Sequence, residues 1–126
     1  LLFISKYRIG IIAWTISLLL FSLPGSAFPS SGWMQWIHFD KIIHIGLFAG
    51  LFIAWAYPCI DKKKSNYRFL LIWTLLVVYG ILVEFMQDNW IVNRSFELMD
   101  WVADIIGTSL GWIFMHIKKP LWKQRP

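Results

Sequence analysis

The sequence predicts an all-α protein, a four-helix transmembrane bundle with both termini inside (N-in/C-in) and a polar pocket near its outer face. Three observations lead there. Apolar residues make up 58% of the 126-residue chain and aromatic residues 18%, and the mean hydropathy of +0.58 is far above that of a water-soluble domain. Ten of the twelve Lys and Arg residues fall in three clusters: Lys6 and Arg8; Lys62, Lys63, Lys64 and Arg68; Lys118, Lys119, Lys123 and Arg125. Six of the seven acidic residues, Asp40, Glu84, Asp88, Glu97, Asp100 and Asp104, gather at the other end of the apolar runs.

The first span is read as residues 9–23, behind Lys6 and Arg8. The same stretch resembles a signal peptide, because Gly25, Ser26 and Ala27 are small residues where a peptidase cuts; a retained span is the preferred reading. Residues 24–39 read as an outer loop, broken by Pro24, Gly25, Pro29 and Gly32 and without Lys or Arg. Its Phe28, Trp33, Met34, Trp36 and Ile37 suit a short interfacial helix or a lid. The second span is residues 40–57, ended by Pro58 and the run Asp61 to Lys64; the third is residues 69–88, followed by a polar loop from Asn89 to Ser95. The fourth is residues 96–117, stopped by Lys118, Lys119 and Pro120.

Four spans of ~20 residues use up the length, so residues 1–126 form a single domain. Runs of this length are helical, since in lipid only a helix or a closed barrel satisfies every backbone group. The positive-inside rule makes all three basic clusters cytoplasmic, and an even number of spans puts both termini there. The net charge of +5 is therefore a topology signal, with membrane lipids as partners and no nucleic acid. Trp33, Trp36, Trp90, Trp101 and Trp122 fall at proposed span ends, where aromatic belts form. Cys59 excludes an internal disulfide and reads as an inert thiol or a palmitoylation position.

Two small-xxx-small pairs, Gly46 with Gly50 and Gly107 with Gly111, predict close helix approach. Residues four apart share a helix face, so Asp40 and His44 lie together with Lys41 beside them. Gly80, Glu84, Gln87 and Asp88 form one stripe. Glu97, Asp100 and Asp104 share the face of Gly107 and Gly111, which turns them into the bundle. A carboxylate in hydrocarbon costs several kcal/mol unless paired, hydrated or protonated, and six carboxylates face only Lys41, Arg94 and His44. Protons, a cation or a cationic ligand group complete the balance. The ligand-binding candidates are Lys41, His44, Glu84, Gln87, Arg94, Asp100 and Asp104. Asp88 and Glu97 belong to a wet rim. His44, Glu84 and Asp104 are the candidates for catalysis, and no known catalytic signature accompanies them. Oxygens with one imidazole suit a hard divalent cation, although the spacing is not diagnostic of a metal.

In order along the chain, Asp40-Lys41-x-x-His44, Glu84-x-x-Gln87, Arg94 and Asp100-x-x-x-Asp104-x-x-Gly107-x-x-x-Gly111 resemble the VanZ-like family of small bacterial integral membrane proteins, over about residues 9–117. The family often carries Asn where this chain has Asp104. The resemblance implies a four-helix protein of the bacterial cytoplasmic membrane, and the family's founding member is associated with resistance to the glycopeptide teicoplanin. The expected function is binding of a cell-envelope ligand, a lipid-linked or glycan headgroup. Two alternatives stay open: an intramembrane hydrolase or transferase using His44 and Glu84, and a small accessory subunit of a larger membrane-protein complex.

Overall fold

The computed structural model describes residues 2–27 and 38–123. Phe28, Trp33, Met34, Trp36 and Ile37 of the expected outer loop and Arg125 of the tail lie outside the described residues, as do the side chains of Trp122 and Lys123. Four helices follow one another: α1 (Leu2–Phe21), α2 (Phe39–Ala56), α3 (Ser65–Trp90) and α4 (Leu98–Lys123). Short 3-10 turns, Gly25–Ala27 and Tyr57–Cys59, follow α1 and α2. There is no strand among the described residues.

Three stretches are long and apolar enough to cross a membrane: Phe39–Cys59, Ser65–Trp90 and Leu98–Leu121. Their outer surfaces are apolar as well. Leu70, Leu71, Leu75, Val78, Leu82 and Phe85 of α3 are each about half exposed, the arrangement of a helix whose outer face meets lipid rather than water. The buried side is filled mainly by aromatic rings, with Phe21, Phe48, Phe52 and Phe69 almost wholly enclosed.

The helices alternate in direction, so α2 and α4 run parallel. They are also the pair in most extensive contact. Gly107 and Gly111 explain why. A Cβ at Gly107 would meet the Ile45 backbone, with its Cα and carbonyl carbon at 2.9 Å, and one at Gly111 would meet the Ala49 carbonyl oxygen at 2.8 Å. Only glycine allows this approach, and it brings the start of α4 against the start of α2. The second glycine pair behaves otherwise. A Cβ at Gly46 or Gly50 would meet nothing within 4 Å, and both residues line an open groove of about 430 Å³ with Ile9, Ala13 and Ile16 of α1. The expected helix contact at that pair is therefore not made, because α2 turns the neighbouring Ile45 and Ala49 toward α4 instead.

Boundaries move for identifiable reasons. α1 extends back to Leu2, through Lys6 and Arg8, since long-chain cations are good helix formers. α3 likewise begins four residues before the expected start, at Ser65. α4 begins at Leu98 instead of 96, because the N–H groups of Phe96 and Glu97 donate to Asp88 (3.1 Å) and Glu84 (3.2 Å) in the approach to the helix. At its far end α4 runs through Pro120 into the last turn. Pro120 has no N–H to donate, so one intrahelical bond is missing there. Asn93 holds the connection with φ 59°, a left-handed conformation that asparagine tolerates.

α1 is part of the bundle. Gln87 of α3 donates to the Phe21 carbonyl at 3.1 Å, Ser17 and Tyr79 share a hydrogen bond at 2.9 Å, and Tyr7 stacks on Trp55 at 5.9 Å. Cys59 is buried, with the Tyr7 hydroxyl 3.7 Å from its sulfur, which fits an inert thiol and leaves an acyl chain no access.

Candidate functional site

The parallel α2–α4 contact and the antiparallel α3 collect the polar residues at one end of the bundle. The basic residues Lys62, Lys63, Lys64 and Arg68 occupy the α2–α3 connection and the start of α3, and Lys118 and Lys119 the last turns of α4, all at the opposite end. Lys41 is the hub of the polar end. Its ammonium lies 3.0 Å from Asp40 Oδ2, 3.0 Å from Glu97 Oε2 and 2.9 Å from Asp100 Oδ1, so each of its three N–H donors has a carboxylate. Asp100 is bifunctional, since its other oxygen stands 3.7 Å from His44 Nε2.

His44 continues the chain inward. Its Nδ1 is 2.7 Å from Asp104 Oδ1; with the carboxylate ionised, Nδ1–H donates and the carboxylate accepts. The ring is 2% exposed and Asp104 not at all. Asp104 lies six residues into α4, about 9 Å along the axis. It fits because Gly80 faces it: a Cβ on residue 80 would stand 2.8 Å from Asp104 Oδ2. Below His44, Phe21 at 4.9 Å, Phe48 and Tyr79 form an aromatic floor that seals the polar end from the apolar interior.

Glu84 completes the group from α3. It is fully buried; Oε2 accepts the Glu97 N–H, while Oε1 has no donor, as is also true of Asp104 Oδ2. Such orphaned buried acceptors are rare in proteins and call for an explanation. Gln87 is buried and turned toward α1. Arg94 reaches the cluster beside Asp40 and His44, in a space lined also by Leu20, Phe21, Ile43 and Leu47. Room there for the centre of a water-sized particle is only about 10 Å³, enough for one. Asp88 and Glu97 are exposed, as expected of a rim.

The structure thus brings Lys41, His44, Glu84, Asp100 and Asp104 into one network, with Arg94 at its edge and Gln87 as a tie to α1. Two groups of donors are close enough to hold a metal ion: His44, Glu84 and Asp100, all buried, and Asp40, Glu97 and Asp100. Sequence reasoning gave Trp101 only a place at a span end and missed its bond: the indole donates to the Val77 carbonyl at 3.0 Å and so braces α4 on α3. It missed buried Thr108 as well, which bonds back to the Asp104 carbonyl at 2.8 Å. Thr108 stands four residues after Asp104, a spacing that signals this bond. No family model matches the chain, and neither the curated proteins nor the solved structures include a match to it.

Proposed function

We propose that the chain is a multi-pass protein of the bacterial cytoplasmic membrane, of VanZ-like type, whose polar cluster faces outward and binds the headgroup of a lipid-linked or glycan envelope ligand. One observation carries this reading: the buried end of the cluster holds more acceptors than donors, with Glu84 Oε1 and Asp104 Oδ2 both unsatisfied. Hydroxyl and amine groups of a sugar headgroup supply donors of the missing kind, and they reach these wholly buried oxygens when the helix ends part around the ligand. Lys41 holds three carboxylates; Arg94, beside Asp40 and His44 at the rim, is the cation we assign to an anionic part such as a phosphate. Counting α1 as a fourth span, the positive-inside rule places both termini in the cytoplasm and the acidic end outside.

The test is to purify the protein in mild detergent and identify retained lipids by mass spectrometry. Selective retention of a glycan- or phosphate-bearing envelope lipid is the expected result. Bulk phospholipids in membrane proportion would count against the reading. A second reading, an intramembrane hydrolase or transferase, draws support from the 2.7 Å contact of His44 with Asp104, because a carboxylate that orients an imidazole equips it as a general base. It requires a reaction product.

A further inference from the structure

We propose that His44, Glu84 and Asp100 hold one divalent cation of the Zn²⁺ or Mn²⁺ class at the buried end of the cluster. One donor atom from each of the three lies within 4.8 Å of the others, and the residues are 2%, 0% and 5% exposed. They come from three different helices, so the fold and not a local turn assembles them.

Four observations converge on a cation. First, His44 is oriented as a metal ligand is. Its Nδ1 faces Asp104 at 2.7 Å, the outer-shell carboxylate that typically fixes a ligating imidazole, and in the neutral ring that donates from Nδ1 the Nε2 is a lone pair. Secondly, Nε2 faces Asp100 Oδ2 at 3.7 Å, too long for a hydrogen bond, and for the neutral ring two lone pairs meet there with nothing between. The separation is near the ligand-to-ligand edge of about 3.4 Å in a tetrahedral site with bonds of about 2.1 Å. Thirdly, Glu84 Oε1 is buried without any donor, whereas Oε2 is held by the Glu97 N–H; one oxygen is anchored and the other is available. Fourthly, of the buried carboxylates of Glu84, Asp100 and Asp104, the Lys41 ammonium contacts Asp100 alone, and it is shared there with Asp40 and Glu97.

The other acidic group, Asp40, Glu97 and Asp100, has no such need, because the Lys41 ammonium already sits within 3.0 Å of all three. The imidazole among the donors suits Zn²⁺ and the two carboxylates suit Mn²⁺, whereas Mg²⁺ and Ca²⁺ take oxygen donors. Three protein donors leave a further position for water or for an oxygen of the headgroup. The inference concerns the site proposed above and rests on its being a binding site, yet the two are separable by experiment.

The full chain is purified in detergent and its metal content measured by mass spectrometry, with retained lipid identified in the same sample. Melting is then followed with EDTA and after addition of Zn²⁺, Mn²⁺ or Mg²⁺. About one equivalent of Zn²⁺ or Mn²⁺, a melting temperature lowered by EDTA, and recovery with either metal but not with Mg²⁺ are expected. Glu84→Gln keeps an oxygen for the Glu97 N–H and so should fold, while its metal affinity falls roughly tenfold or more; Asp88→Asn binds as wild type does. Metal without a specific lipid sustains the site and removes the headgroup reading. Lipid without metal, or equal metal in wild type and Glu84→Gln, overturns the site and leaves protons to balance the cluster.

Discussion

Asp104 on α4 and His44 on α2 are joined by a buried contact of 2.7 Å between Oδ1 and Nδ1, and Gly107, Gly111 and Gly80 make room for it. Removing the imidazole leaves the buried Asp104 carboxylate without its hydrogen-bond donor. His44→Ala should therefore cost about 3–5 kcal/mol. Asp104→Asn keeps an oxygen that accepts from Nδ1 and should cost less than about 1.5 kcal/mol. Thermal unfolding of the two variants in detergent checks the ranking, and equal losses would contradict it.

The glycine pairs separate in the same assay. Gly107→Ala drives a methyl into the Ile45 backbone and should destabilise by about 1–3 kcal/mol. Gly46→Ala and Gly50→Ala enter open space and should stay within about 0.5 kcal/mol of wild type.

Lys41 is expected to be a structural hub. Lys41→Met strands Asp40, Glu97 and buried Asp100, with a loss of about 3–5 kcal/mol. Adding Asp100→Asn removes the most enclosed of the three stranded charges, so the double variant should be more stable than Lys41→Met alone. A double-mutant cycle measures this coupling directly.

The proposed orientation predicts a labelling pattern. In a Cys59→Ser background, a cysteine at exposed Val92 should react with a membrane-impermeant maleimide added to intact cells. One at exposed Lys63 should react only after lysis. The reverse pattern would invert the bundle.

Much of this was legible beforehand, and the reason lies in local spacing. The runs that became α2, α3 and α4 are apolar and bounded by charge, and the four-residue spacing of Asp40 with His44 and of Asp100 with Asp104 put each pair on one face. The sequence did not reveal which faces meet. Gly46 and Gly50 have the same spacing as Gly107 and Gly111, yet only the second pair touches a helix, since the choice depends on the rotation of α2 against both α1 and α4. The triple engagement of Lys41 and the bond from Gln87 to the Phe21 carbonyl are likewise products of three-dimensional packing. Neither leaves a trace in one strand of sequence.

The central claim is that the buried polar cluster binds a ligand and is not merely the cement of four helices. Glu84→Gln tests it most directly, because the substitution keeps the acceptor for the Glu97 N–H while removing the charge at the orphaned oxygen. The measurement is specific envelope-lipid retention by mass spectrometry, made on wild type and variant of matched melting temperature. The account predicts that the variant folds and loses the lipid; a folded variant that retains it unchanged would contradict the claim.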